Sequence, residues 1–240
     1  MTEATTKPLA GQLALVTGAS RGIGAATAAI LADAGAHVII TARTPGGLEE
    51  LEDRIHDAGG SATIAPLDLT DGDAIARLAS AVAERWQRLD ILVANAAQLG
   101  TLTPVAAIDG KEFNRVLTLN LIAQQALIAN FDPLLRRAAA GKLIALTSSV
   151  ARAPRAYWGA YAASKAALEV LVTSYGAEMA NISNVRTAIV DPGATRTEMR
   201  ARAFPGEDAA TVKDPAVVGR AIADLCIAGF DSTAFVQLPK

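Results

Sequence analysis

The chain has one cysteine, Cys226, so no disulfide can form within it, which fits a reducing cytoplasm. It also lacks any apolar run near the ~18 residues that a membrane span needs. Although 51% of its 240 residues are hydrophobic, polar or charged side chains interrupt every stretch. Neither charge is in excess: 22 Lys and Arg stand against 24 Asp and Glu, which offers no basic face to a nucleic acid or an anionic membrane. Only two histidines occur, His37 and His56, with no acidic or cysteine partner at ligand spacing, so no metal site is expected. A serine-hydrolase elbow, G-x-S-x-G, is missing. The opening MTEATTKPLAG has no basic region leading into an apolar stretch, so residues 1–10 read as a short loose tail. No Pro/Gly/Ser-rich linker, charge block or internal repeat divides the rest, and residues 11–240 are expected to form one domain.

What is present is a rhythm. Short apolar runs recur at 13–17 (LALVT), 37–41 (HVIIT), 62–66 (ATIAP), 90–94 (DILVA), 142–146 (KLIAL) and 186–190 (RTAIV). They have the character of strands buried on both faces. Segments of helical spacing lie between them at 22–34, 47–57, 71–88, 111–139 and 157–181. Strand followed by helix, repeated, predicts an α/β fold: a Rossmann-type, doubly wound parallel sheet with helices on both faces. The stretch 195–214 lacks this rhythm and reads as a flap.

Directly after the first run comes TGASRGIG, with Gly18, Gly22 and Gly24 at the turn into the first helix. A doubly wound sheet binds a dinucleotide at this place, because bare backbone and a helix N-terminus can approach a pyrophosphate. An acidic residue at the end of the second strand would hold an NAD ribose; here Thr41, Ala42 and Arg43 occupy that place. Arg43 offers a planar, permanently charged fork to a 2′-phosphate, with Arg21 and the Thr44 hydroxyl nearby, so NADP(H) is favoured.

Further along, YAASK puts Tyr161 and Lys165 four residues apart on one helix face. An ammonium beneath a phenol is expected to pull its pKa down toward neutrality, making Tyr161 a proton donor and acceptor. Thr147, Ser148 and Ser149 at the preceding strand end supply hydroxyls for a substrate oxygen. Asn120 lies inside an expected helix, where asparagine is a poor choice without a further role. Leu99, Arg152, Tyr157, Trp158, Met199 and Phe204 are the expected pocket lining.

In order and spacing, TGASRGIG, DLT at 68–70, NAA at 95–97, Asn120, TSS at 147–149, YAASK at 161–165 and DPGATRT at 191–197 resemble the short-chain dehydrogenase/reductase family. The resemblance runs from about Gly11 to Val218. It implies seven parallel strands and hydride transfer between a nicotinamide and a carbonyl or alcohol carbon of a small molecule. The cofactor residues it implies are Gly18, Ser20, Arg21, Gly22, Ile23, Gly24, Arg43, Thr44, Asp68, Leu69, Asn95, Ala96, Tyr161, Lys165, Pro192, Gly193, Thr195 and Thr197. Asp68 is implied to bond the adenine amino group with Leu69 packing beside it; Pro192, Gly193, Thr195 and Thr197 are implied to bracket the nicotinamide. Tyr161, Lys165 and Asn120 are the implied catalytic group, Asn120 holding a water that links the lysine to solvent.

The implied serine is open between two neighbours. A spacing of thirteen residues before the tyrosine selects Ser148, whereas the following Val150–Ala151 turn selects Ser149, which strand register favours. Ala94 and Ala97 depart from the family's usual second asparagine and glycine around Asn95. The ending STAFVQLPK departs from its usual glycine-rich finish, so a homodimer and a homotetramer, built on the two long helices, both stay open. A non-catalytic NADP(H) sensor and an NAD-dependent alcohol dehydrogenase are the competing readings.

Overall fold

The structure, a computed structural model, describes residues 7–239. Seven strands form one parallel sheet in the order β3-β2-β1-β4-β5-β6-β7: β1 (Leu13–Thr17), β2 (His37–Thr41), β3 (Ser61–Ile64), β4 (Ile91–Ala94), β5 (Lys142–Leu146), β6 (Arg186–Asp191) and β7 (Thr233–Gln237). The order reverses between β1 and β4, and a crevice at such a switch point is where open α/β sheets bind ligands.

Alternation along the strands sorts the apolar side chains into two layers. Ala14, Val16, Val38, Ile40, Ile144 and Leu146 meet α1 (Gly22–Asp33), α2 (Gly46–Asp57) and α8 (Pro215–Ala228) on one face. Leu13, Leu15, Ile39, Leu92, Leu143 and Ala145 meet α3 (Gly72–Trp86), α5 (Ala123–Leu135) and α6 (Gly159–Met179) on the other. Because both faces are covered, the central strands read as unbroken apolar runs.

The structure corrects three expectations and locates the implied seventh strand. Residues 1–6 lie outside those described, but 7–10 are not loose: Leu9 is fully buried and its N–H donates to Ala34 O at 2.9 Å. The helix expected over 111–139 is α4 (Gly110–Leu117), a π-turn (Thr118–Ile122) and α5, ending at Leu135. The ending STAFVQLPK contains β7, whose burial is partial because it lies at the sheet edge. The flap contains a short helix, α7 (Glu198–Ala203), and is pinned by a bridge from Thr195 to Lys213.

Candidate active site

The glycine turn is shaped by its neighbours. Gly18 and Gly22 have φ of +65° and +58°, a region other residues enter only with strain. Gly24 has no room for a side chain: a Cβ there would overlap the Gly18 carbonyl oxygen and come within 2.6 Å of Asn95 Nδ2. Asn95 holds this arrangement, donating from Nδ2 to Thr17 O at 2.8 Å and Gly18 O at 3.3 Å. The Thr17 hydroxyl accepts from the N–H of both Asn95 and Ala96 at 3.0 Å. β1, the turn and β4 are therefore laced together before any ligand arrives.

The start of α1 carries no side-chain cap, as is also true of α2, α5 and α6, whereas Asp71, Asp109, Thr197 and Asp214 cap α3, α4, α7 and α8. An uncapped helix N-terminus behind a bare glycine turn fits the pyrophosphate of a dinucleotide. Ser20 and Ile23 belong to the same turn; Ser20 backs onto Gly47, where a Cβ would stand 2.8 Å from Ser20 O. Arg43 and Thr44 follow β2 and are exposed, and the Arg43 charge helps to lower the Asp68 carboxyl pKa. Thr70 is the larger cause: Asp68 Oδ1 accepts from its N–H at 2.9 Å and its hydroxyl at 2.8 Å. Leu69 is buried in the second core layer. Arg21 is paired with Glu198 of α7.

On the other side of the crevice Tyr161 and Lys165 project from the first turns of α6 and are buried, at 7% and 2% exposure. Lys165 Nζ donates to Leu146 O, the last residue of β5, at 2.7 Å. It stands 5.9 Å from the centroid of the Tyr161 ring. Burial lowers the lysine to about 8. Burial, followed by the nearby Asp191 carboxylate, pushes the Tyr161 phenol up, the opposite direction to the one expected from a lysine beneath it.

Asn120 lies in the π-turn, fully buried. Its Oδ1 accepts from Gln98 N at 2.8 Å, and its Nδ2 donates to Gln98 O at 2.9 Å and Ser164 Oγ at 3.0 Å. Sequence reasoning missed Gln124, one helical turn on, which donates to Ala96 O at 3.1 Å and to Leu119 O in the π-turn at 3.0 Å. The loop after β6 closes the site. Asp191 Oδ1 accepts from Gly193 N at 3.0 Å, the Thr195 hydroxyl donates to Pro192 O at 3.1 Å, and Thr197 caps α7. Lys213, also missed, donates to Pro192 O at 2.8 Å and to Pro239 O.

An apolar cluster covers the tyrosine. Leu99, Val150, Tyr161 and Ala162 are buried together, with Leu102, Trp158, Met199 and Ala203 packed on them. Phe204 stacks on Trp158 at 5.7 Å. Two expected lining residues stand elsewhere. Tyr157 is 58% exposed, and the Arg152 guanidinium is drawn to Glu169 and the Phe235 ring.

The sequence profile of the short chain dehydrogenases matches residues 12–208. The chain belongs to the short-chain dehydrogenase/reductase family. This dehydrogenase is 36% identical over 208 residues to the uncharacterised oxidoreductase YciK of Escherichia coli K12, covering 85% of this chain and 82% of that protein. It is 36% identical over 170 residues to a fatty acyl-CoA reductase of Acinetobacter baylyi, covering 70% of this chain and 58% of the other. Among solved structures, a short chain dehydrogenase from Pseudomonas syringae superposes with a TM-score of 0.92 at 35% identity, covering 96% of each chain. Another, from Shigella flexneri, complexed with NADP, gives 0.90 at 33% identity, covering 96% of this chain and 98% of its own. In this dehydrogenase the glycine turn, Asn95, Asn120, Tyr161, Lys165 and the loop 191–197 therefore converge on the C-terminal edge of a family sheet.

Proposed function

We propose that this dehydrogenase is an NADP(H)-dependent enzyme that reduces or oxidises a carbonyl or alcohol carbon of a small molecule, with Tyr161 as its acid and base. The observation that carries the reading is the stacked placement of Tyr161 over Lys165 at the C-terminal end of β5, across the crevice from an uncapped glycine turn. NADP(H), when bound, supplies or accepts the hydride. The turn residues 18–24 receive its pyrophosphate, and Arg43, Arg21 and Thr44 receive its 2′-phosphate. The related Shigella flexneri structure complexed with NADP supports that choice. Asp68 keeps Oδ2 for an adenine amino group, since Thr70 takes Oδ1. Pro192, Gly193, Thr195 and Thr197 bracket the nicotinamide.

The chemistry at Tyr161 follows from its surroundings. Burial holds the phenol protonated, the form that donates to a carbonyl oxygen gaining negative charge. Lys165, cationic below about 8, stabilises the phenolate left behind. Asn120 has spent both amide hydrogens but keeps one lone pair on Oδ1 for a water that resupplies the proton.

Ser149 holds the substrate oxygen. Thr147 donates to Glu169 on α6, so it shares the α6-facing side of β5 with Leu143 and Ala145. Ser148 is extended, at φ −158° and ψ 149°, which carries the alternation one residue further and turns Ser149 toward α6.

The single cysteine, buried, suits the cytoplasm, which fractionation of cells would check. The α4–α5 and α6 helices form a homo-oligomer contact, dimer or tetramer, read by light scattering at micromolar concentration. The test of the function is absorbance at 340 nm with NADPH and a panel of aldehydes, ketones and keto esters. Turnover of none of them would defeat the reading.

A further inference from the structure

The Glu169 carboxylate takes no part in the chemistry described above, yet it is nearly buried, with its side chain 12% exposed. It lies on α6 one turn beyond Lys165 and two beyond Tyr161. Its Oε1 accepts from the Thr147 hydroxyl at 2.7 Å and its Oε2 from Arg152 Nε at 2.8 Å. Thr147 directly follows Leu146, whose carbonyl holds Lys165, and Arg152 lies three residues past Ser149. The Arg152 guanidinium in turn sits 3.3 Å from the centre of the Phe235 ring on β7. Taking a carboxylate out of water is costly unless it is paired and hydrogen-bonded, and here both oxygens are engaged on the two sides of one short turn.

We propose that Glu169 is a positioning residue: it fixes the turn 147–152, and with it the Ser149 hydroxyl, against the helix that carries Tyr161 and Lys165. The tyrosine and lysine share one rigid helix, so their spacing is set locally. The serine comes from a different element, on a turn held by three backbone bonds, Ala151 N to Ser148 O and the N–H groups of Arg152 and Ala153 to Ser149 O. Registration of the serine against the tyrosine therefore needs a tie between the turn and α6. The bond from Lys165 to Leu146 O fixes the end of β5; Glu169 extends the hold to the turn, through one residue before the serine pair and one after.

This inference rests on the functional reading above, so its test has one arm that does not use turnover. Hydrogen exchange read by mass spectrometry should show the amides of residues 149–153 exchanging roughly tenfold faster in Glu169→Ala than in wild type, with β4 unchanged. In the second arm, kcat should fall by about tenfold or more with the NADPH Kd held within about twofold, because misplacement of a reacting contact costs turnover and not cofactor binding. Glu169→Gln should recover part of both, since its carbonyl oxygen still accepts from Thr147 while its amide nitrogen cannot accept from Arg152 Nε. If Glu169→Ala does not fold, Thr147→Val decides: it removes one donor at nearly constant shape and should show the same pattern in weaker form. Unchanged exchange at 149–153 overturns the proposal, as does a fall in kcat matched by an equal rise in the NADPH Kd. Wild-type enzyme inert with every carbonyl compound would defeat the functional reading and leave the exchange arm standing.

Discussion

The Lys165 ammonium stands 5.9 Å from the centre of the Tyr161 ring, and both groups are buried. Burial moves them in opposite directions, the lysine down to about 8 and the tyrosine up. Lysine in the unfolded chain keeps its proton to about 10.4. Between pH 8 and 10 the unfolded state thus binds more protons at this position, and stability rises with pH. The cost of burying the ammonium is present in full below about 8 and fades above it. Wild type should therefore gain on Lys165→Met by roughly 1–3 kcal/mol between pH 7 and pH 10. Urea denaturation at the two pH values measures it; a constant difference contradicts the shift.

Gly24 is predicted to tolerate no substitution. An alanine Cβ would run into the Gly18 carbonyl and Asn95 Nδ2, neither of which can yield without undoing the tie between β1 and β4. Gly24→Ala should cost about 1–3 kcal/mol or more and weaken cofactor binding with it. Gly46, with open space around it, is the control: Gly46→Ala should be neutral or slightly stabilising. Equal urea midpoints for the two variants would contradict the packing argument.

The two serines separate by mutation. Ser149→Ala should lower turnover on the order of 100-fold, as loss of a donor to a developing oxyanion does, and Ser148→Ala should change it little. The reverse result would move the assignment by one residue. If neither matters, the serine contact is abandoned.

Arg43 sets the cofactor preference in this account. A charge-assisted bond to a 2′-phosphate contributes about 1.5–3 kcal/mol, so Arg43→Ala should narrow the preference for NADPH over NADH by roughly 10- to 100-fold. Fluorescence titration of both nucleotides reads it. Wild type binding NADH as tightly as NADPH would contradict the choice.

Much of this arrangement is legible in the sequence, and the exceptions have physical reasons. β1, β2, β4, β5 and β6 are plain because both their faces are buried, which leaves the apolar run unbroken. β7 is not, since an edge strand half in water carries Thr233 and Gln237 among its apolar residues. The π-turn at 118–122 inserts a residue without altering hydropathy, so one long helix is the simpler pattern. The spacing of Tyr161 and Lys165 is local and visible; the direction of the tyrosine's shift is set by tertiary burial and is not. Arg152 looks like a pocket residue because of where it falls in the chain, but its charge is satisfied by Glu169, seventeen positions away. Leu9 precedes the first strand in a polar stretch, and only its burial and the docking of its N–H on Ala34 O show that this segment is packed.

The most direct test of the central claim is the rate of NADPH oxidation with the best substrate of a carbonyl panel, wild type against Tyr161→Phe. The phenylalanine keeps the ring in its cluster and removes only the hydroxyl. Loss of the hydroxyl should lower kcat by about 100-fold or more, the range of a positioned proton donor, with the NADPH Kd nearly unchanged. A Tyr161→Phe enzyme that turns over within a few-fold of wild type would show that the proton comes from elsewhere.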